Sequence, residues 1–517
     1  MEAQRQPLVG DVPAWFAARP DADRPVLGLG ELDKSWAQIE AATDGLAAGL
    51  AELGLEPGDR VATLLPNCAE YVEIMYGVAR AGCVIVPLNT RSSGPELRRA
   101  LAFSGALALI SHARFGDKLD PVLEGGATIA AERRIVIGEA GEWVDYAELI
   151  GRGGAAPARR PSEDDLYWMP FTSGTTGMPK AAMVSHRRLI DQWRVVEHEF
   201  ELRRGERMLV PGPFYHSLGF LFGLSALFAE GELIVHPEFD PAAVVEAIGA
   251  HRIAVLPAVP TMYTLLLEEL AGREAELGSM RAVISAGSPL HTATKRGLVE
   301  RFAPAGLFEF YGSTEVGITT VLRPADQLRK ERSVGLPVRG AAIRLVDEHG
   351  AEVPPGTPGE VLKRGQLLGP AYFRNEEATA AIERDGWIAT GDIGVLDEEG
   401  YLAIVDRRKD MIVSGGANVF PAEIEAVILT DPAVLEAAVI GTPDPVWGEA
   451  VTAVVVLRQG HSLDVEALVA RCGAELAGYK KPRRVEIVDE LPKTGSGKVM
   501  KPVLRERFWE QEGLRVS

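Results

Sequence analysis

The segment Phe171 to Lys180, FTSGTTGMPK, gathers hydroxyl, glycine and cationic groups into one short stretch. Thr172, Ser173, Thr175 and Thr176 offer hydroxyls, and Lys180 brings positive charge. Gly174 and Gly177 let backbone N–H groups approach a ligand closely. That chemistry suits a loop wrapped around phosphates. A Walker A loop is excluded, because its lysine follows glycine and precedes Ser or Thr, whereas Lys180 stands between Pro179 and Ala181. An ordinary polar turn shares this composition, so the reading depends on what accompanies it.

Several segments do. PFYHSLG, Pro213 to Gly219, sets His216 among aromatics, where a core histidine is the alternative. SAGSPL, Ser285 to Leu290, is a Gly/Ser loop that a plain strand-to-helix turn would also explain. YGSTE, Tyr311 to Glu315, supplies an aromatic face, a tight glycine, two hydroxyls and a carboxylate. Those groups suit base stacking, phosphate hydrogen bonding and oxygen ligation of Mg²⁺. ATGD places Asp392 after a glycine turn, where it could accept from ribose hydroxyls. DRRKD (Asp406 to Asp410), SGGANVFPAEIE (Ser414 to Glu425) and the second lysine-bearing glycine loop, PKTGSGKV (Pro492 to Val499), follow.

The elements that must position these groups read as α/β layers, with short β-branched runs alternating with amphipathic helices. RVATLLP precedes AEYVEIMYGVARAG, and CVIVPLN precedes GPELRRALAFSG. The rhythm returns in GELIVH, PAAVVEAIGAHR, IAVLPAVP and TMYTLLLEEL, with Pro95 and Pro241 at first-turn positions. The phosphate loop is expected to run from a strand at Leu166–Phe171 into a helix. Near residue 400 the character changes to a smaller βαβ-like unit. It is expected to hold a helix from Pro421, strands at 437–440, 450–457 and 484–488, and a helix over 464–476. A boundary is placed at the charged DRRKD cluster, giving domains 1–408 and 409–517.

With 517 residues, 46% hydrophobic and 25% charged, the chain has the size and composition of a multidomain globular protein. A formal charge of −19 argues against general attraction to nucleic acid or anionic membrane, so local cations must hold any anionic ligand. The three cysteines lack metal-ligand spacing and point to a reducing compartment. The first residues have no basic segment followed by an apolar core, and no apolar run reaches spanning length, so a cytoplasmic protein without stable membrane insertion is expected.

Taken in order, FTSGTTGMPK, PFYH, YGSTE, TGD, DRRKDMI, GGANVFPAEIE and PKTGSGK resemble the adenylate-forming superfamily of acyl-CoA synthetases, luciferases and peptide-synthetase adenylation domains. The resemblance runs from about Trp15 to Leu504. It implies a large multi-layer α/β N-terminal domain with mixed sheets and a small, mobile α+β C-terminal domain. The acyl-CoA ligases are the most similar subgroup, since the sequence ends shortly after Lys498 and a carrier domain is not expected to follow. VPLNTR, FDPAAVVEAI, HRIAVLP and PTMY look like actinobacterial-type ligases for fatty or steroid-side-chain acids.

Site roles follow by motif position. Thr172, Ser173, Gly174, Thr175, Thr176, Gly177 and Lys180 match the loop around the β- and γ-phosphates of ATP. Gly287, Ser288, Pro289 and Tyr311 match the adenine-binding positions, Gly312 and Ser313 fall among the nucleotide-binding residues, Thr314 matches the α-phosphate contact, Glu315 the Mg²⁺ ligand, and Asp392 and Arg407 the ribose contacts. His216 joins Thr314, Glu315 and Lys498 as a catalytic candidate, Lys498 matching the lysine that bridges carboxylate and α-phosphate. Lys409 matches the hinge, and Gly415, Gly416 and Ala417 the loop on the side of coenzyme A. Trp193, Phe214, Phe220, Ala258, Val259, Ser285, Ala286 and Ile318 fall where the acyl pocket is expected. No lysine or arginine lies among them, which disfavours a diacid because an unpaired buried charge is expensive.

Three positions depart from the commoner pattern: Ala181 stands where glycine is usual, SAGSPL differs from a Gly-Gly-Ala type, and the hinge is lysine where aspartate is also common. None removes a catalytic group. The expected function is an ATP-dependent carboxylic acid:CoA ligase for a fatty, alicyclic or aromatic acid. An adenylating ligase serving an amine or carrier protein is the alternative enzyme, and a nucleotide sensor the non-enzyme reading. For protein partners the resemblance implies only the option of a homodimer.

Overall fold

In the computed structural model, the described residues are 8–124, 129–153, 160–172, 180–407, 410–414, 417–444, 447–493 and 499–511. They form two compact units: residues up to Ala342 with Arg364–Ile388, and Ile343–Lys363 with the chain from Ala389 onward. This grouping by compactness differs from the division expected at 408/409, which rests on the expected hinge at Lys409. Residues 408 and 409 lie outside the described residues.

The first unit is built on two large sheets, as the alternating apolar runs predict. One has parallel central strands in the order Gly306–Ser313, Ala282–Ser285, Val255–Ala258, Arg207–Val210, Glu232–Val235 and Pro25–Leu29. Antiparallel edges, Gly317–Leu322 with Leu336–Pro337 and Lys34–Ser35, complete it. The other orders Val184–Ser185, Leu166–Trp168, Val84–Pro87, Arg60–Leu64, Ala108–His112, Arg134–Ile137 and Val144–Asp145. These strands carry continuous apolar runs because helices cover both faces of a parallel sheet.

Helix Ser217–Phe228 is apolar nearly all round, and it and Ala69–Arg80, which is buried along most of its length, lie in the shared core. Phe220 stacks flat on Trp168, ring centroids 4.4 Å apart, and Phe214 meets Tyr71 edge-on at 5.8 Å. Burying side chains of this size contributes about 1.5–3 kcal/mol each.

The run after the phosphate loop is where expectation and structure part. Lys180–Ala181 is a strand that turns back on Phe171–Thr172, with Lys180 opposite Thr172 and Ala181 opposite Phe171. The helix begins only at His186, capped by the Ser185 hydroxyl. The two ends of the loop are thus held by a β-ladder, whereas a strand–loop–helix motif would anchor its far end in the helix.

His186 itself is buried against the Tyr167 ring at 5.1 Å, and among the described residues neither ring nitrogen meets a partner. Burial lowers its pKa from 6.5 to about 4. Its neutral form is favoured on folding, so the associated stability is intact above pH 6.5 and is lost as pH falls from 6.5 toward 4, by up to about 3 kcal/mol. His186→Phe, which keeps the stack, is expected to flatten the decline of stability over that range. Denaturant melts of both proteins between pH 4 and 7 check this, and parallel declines would refute it.

The second unit opens with strands Gly359–Arg364, Trp387–Leu396 and Leu402–Arg407 in one sheet. Beyond Asp410 a second sheet centres on the antiparallel pair Val434–Asp444 and Gly448–Leu457, with Arg484–Ile487 added in parallel through the helix Val465–Glu475. Side-chain alternation divides this sheet's apolar residues between its faces. Val439, Val451 and Val455 pack with Ile424 and Leu468, while Ile440, Val454 and Val456 pack with Leu504 and Phe508. The latter two belong to a final helix, Lys501–Gln511, that the sequence reading did not foresee.

Candidate active site

The YGSTE turn is the centre of the first unit's polar site. Tyr311, Gly312 and Ser313 end the strand Gly306–Ser313, which turns through Thr314–Val316 into the antiparallel strand from Gly317. A Cβ on Gly312 would lie 2.2 Å from the Gly317 carbonyl oxygen, so only glycine permits this close crossing. Gln192, fully buried on helix His186–Glu199, clamps the turn from below: its carbonyl oxygen accepts from Ile318 N–H at 3.0 Å, and its amide donates to the Gln366 carbonyl at 2.7 Å.

Glu315 is half-buried, and a hydroxyl reaches each of its carboxylate oxygens. Ser313 donates to Oε2 and Tyr372 to Oε1, both at 2.7 Å. Burial, then the Glu315 charge, pushes the Tyr372 hydroxyl well above its ordinary pKa, so it remains a donor. The Lys180 ammonium lies over the Tyr372 ring, 5.2 Å from its centroid. On the other side, the Thr314 hydroxyl is 3.0 Å from that of Ser217, in the first turn of helix Ser217–Phe228. His216 is the residue capping that helix, half-buried and tilted against Tyr215. Thr172, Lys180, His216, Ser313, Thr314 and Glu315 are thus linked through shared neighbours, with Tyr372 at the middle.

Gly287, Ser288 and Pro289 form an exposed loop leaving the strand Ala282–Ser285. Gly287 adopts φ 94°, a conformation that favours glycine, and a Cβ placed there would meet the Val259 side chain at 3.4 Å. In the second unit, Asp392 and Arg407 are direct cross-strand partners, Nε to Oδ1 3.6 Å. The next residue back, Asp406, is buried and accepts backbone N–H bonds from Arg407 at 2.7 Å and Ala422 at 3.0 Å. Burial lifts its carboxyl to about 6, with Lys501 opposing the shift.

The residues proposed for the acyl pocket are largely core. Trp193, Phe214, Phe220 and Ile318 sit in the principal apolar cluster, Ala258, Ser285 and Ala286 are buried, and Val259 is half-buried. Ser173, Gly174, Thr175, Thr176, Gly177, Lys409, Gly415, Gly416 and Lys498 lie outside the described residues, as does the side chain of Ala417. The flanks of the Lys498 loop are described: Lys493 and Val499 form an antiparallel bridge, and Met500 N–H donates to the Pro492 carbonyl at 2.7 Å.

Sequence reasoning missed Tyr372 and Gln192. Tyr372 reaches the site because its backbone bridges Ala182, beside the phosphate-loop strand, a pairing that sequence spacing does not announce.

Residues 14–373 match the AMP-binding enzyme family, and residues 423–498 match the AMP-binding enzyme C-terminal domain. The feruloyl-CoA synthase of an Amycolatopsis species is 39% identical over 478 residues, 92% of this chain and 94% of its own. The indoleacetate–CoA ligase of Aromatoleum aromaticum is 35% identical over 494 residues, 93% of this chain and 95% of its own. The crystal structure of ATP-bound MatB from Rhodopseudomonas palustris superposes with a TM-score of 0.86 at 32% identity, over 97% of this chain and 99% of that one. The chain belongs to the AMP-binding enzyme family, that is, to the adenylate-forming superfamily. Within it the chain is of the acyl-CoA synthetase type, an AMP-forming acid–thiol ligase.

Proposed function

We propose that the chain activates an apolar carboxylic acid with ATP and passes the acyl group to coenzyme A. The observation that carries this reading is the contact series Lys180–Tyr372–Glu315–Ser313, with Thr314 beside it against Ser217. It assembles a cation, a carboxylate and hydroxyls at one turn, the groups a triphosphate and its metal need.

A carboxylate is a poor acyl donor, because its leaving group would be oxide. Attack of a carboxylate oxygen on the α-phosphorus expels pyrophosphate and leaves an acyl-AMP. The thiol of coenzyme A, losing its proton to solvent, then attacks the acyl carbon and expels AMP. Negative charge builds on oxygen in both steps, so fixed cations and donors are the main catalytic device. In this reading Thr172 and Lys180 hold the outer phosphates with the rest of their loop. Thr314 donates to the α-phosphate, Tyr311 stacks on adenine beside Gly287–Pro289, and the Asp392–Arg407 pair binds ribose. Lys498 bridges the two reacting groups and withdraws about the Lys409 hinge, so that the 415–417 loop can admit coenzyme A.

Glu315 would hold Mg²⁺. Its carboxylate is approached by two neutral hydroxyls, which leave lone pairs for an oxygen-seeking ion, and Mg²⁺ bound with nucleotides typically takes one or two carboxylates plus phosphate oxygens. When bound it would offset phosphate charge. Among the described residues no cluster of three or more His, Cys, Asp or Glu forms a separate metal cage.

For the acid, an aromatic ring is the first class to test, since relatives at 39% and 35% identity are named for feruloyl-CoA and indoleacetate. The described cysteines are buried and carry no disulfide, which supports the reducing cytoplasm, where ATP and coenzyme A are available. No helix among the described residues is long and apolar enough to cross a membrane. The deciding assay incubates the protein with ATP, Mg²⁺ and a panel of acids, with mass spectrometry of the products. AMP release that requires coenzyme A and yields acyl-CoA is expected. Release that requires an amine or carrier protein instead would favour the alternative ligase, and no AMP with any acid would sink the enzyme reading.

A further inference from the structure

We infer that Asn67 is a positioning residue for the acid side of the site, fixing the segment from Gly212 to His216, an inference that rests on the ligase reading above. Asn67 lies between strand Arg60–Leu64 and helix Ala69–Arg80 and is 3% exposed. Its amide nitrogen donates to the Gly212 carbonyl at 2.8 Å and to the His236 carbonyl at 3.0 Å. Its amide oxygen accepts from the Phe214 N–H at 2.8 Å. Both N–H donors of the carboxamide are therefore in use, as is its oxygen.

The places of these partners give the contact its meaning. Gly212 stands two residues beyond strand Arg207–Val210, and His236 directly follows the parallel neighbour Glu232–Val235. One side chain from the other large sheet thus ties the carboxyl ends of two adjacent strands, where open α/β sheets bind their ligands. The segment it holds carries Phe214, of the proposed acyl pocket, and the catalytic candidate His216. The Phe214 ring meets Tyr71 edge-on at 5.8 Å and lies so near helix Ser217–Phe228 that a Cβ on Gly223 would come within 2.7 Å of it. One residue past His216, the Ser217 hydroxyl is 3.0 Å from that of Thr314. His216 is therefore set between the Asn67 tie and the Thr314 contact, half-buried. A reacting group misplaced by about 1 Å can lose a large factor in rate, so the fixing of this segment matters for the acid.

An amide that only joined two sheets would lower stability on removal and leave substrate recognition alone. Pyrophosphate release with ATP, Mg²⁺ and an accepted acid separates the two roles. Asn67→Leu is expected to raise KM for the acid about tenfold and to leave KM for ATP within about threefold of wild type. The milder Asn67→Ser should move the acid KM the same way, by about threefold. Leu50→Ala, which opens a cavity in the same core on helix Trp36–Glu52, is the control: its Tm should fall while its acid KM stays at the wild-type value. An unchanged acid KM in both Asn67 variants, an equal rise for ATP, or an equal rise in the control would overturn the inference. Hydrogen exchange at the Phe214 amide of the wild-type protein gives an answer that needs no variant to fold. Protection like that of the amides in strand Arg207–Val210 is expected, and exchange at an open-loop rate would refute the tie. A wild type that releases no pyrophosphate with any acid would defeat the ligase reading, and the amide measurement would still decide whether Asn67 holds the segment.

Discussion

Lys498→Ala should lower acyl-adenylate formation by about 10²–10³-fold, while thioester formation from supplied acyl-AMP stays within a few-fold of wild type. The asymmetry follows from charge. In the first half-reaction two anions, a carboxylate and a phosphate, must meet on a protein whose own formal charge is −19, so a dedicated cation between them is at a premium. In the second, a thiol attacks an already activated acyl group, and a cation occupying that approach would only obstruct it. Pyrophosphate exchange and mass-detected thioester report the two halves separately; equal loss in both would remove the assigned role. Lys409→Pro should show the reverse pattern, since proline restricts the backbone torsions a pivot must change. Normal thioester turnover in that variant would tell against the hinge.

Glu315→Gln is expected to lower pyrophosphate release by about 10²-fold and to raise the Mg²⁺ concentration needed for half-maximal rate, with Tm almost unmoved. The side chain keeps its volume, and hydroxyls can reverse their roles: whichever of Ser313 and Tyr372 faces the new amide NH₂ can accept where it formerly donated. The anchorage of the turn through Gly369 N–H to the Glu315 carbonyl, 3.0 Å, involves only backbone. What disappears is the negative charge. A metal titration of the initial rate, run beside thermal melts, distinguishes this from damage to the turn; an unaltered Mg²⁺ dependence would show that the carboxylate does not serve the metal.

Local structure was legible where its determinants sit close together in sequence. YGSTE and SAGSPL each fall at a strand end, whereas TGD, expected at a glycine turn, lies within the strand Trp387–Leu396 with Gly391 at φ 76°, and Asp392 and Arg407 are cross-strand partners. The β-branched runs at 60–64, 84–87, 232–235 and 255–258 are strands because their apolar continuity suits a sheet covered on both faces. Features that depend on distant pairings stayed hidden. Lys180 reads as leading toward a helix, yet its strand returns to Thr172, and Tyr372 arrives from almost two hundred positions away by pairing with Ala182. Gln192 and Asn67 are single polar residues in otherwise ordinary segments, and only burial gives them meaning. The final helix escaped notice because its apolar anchoring rests on little more than Leu504 and Phe508.

The bridge between Lys493 and Val499 bears on how the reaction is timed. Lys498 is the immediate chain neighbour of a paired residue, so its Cα can stray only about 3.8 Å from that fixed point. Val499 leads straight into the helix anchored by Leu504, and Arg505 of the same helix donates to the Asp410 carbonyl at 2.9 Å, next to the proposed hinge residue Lys409. With the roles proposed for Lys498 and the Lys409 pivot, the lysine is expected to travel with its whole lobe, and the interval between activation and transfer to lengthen as solvent viscosity rises.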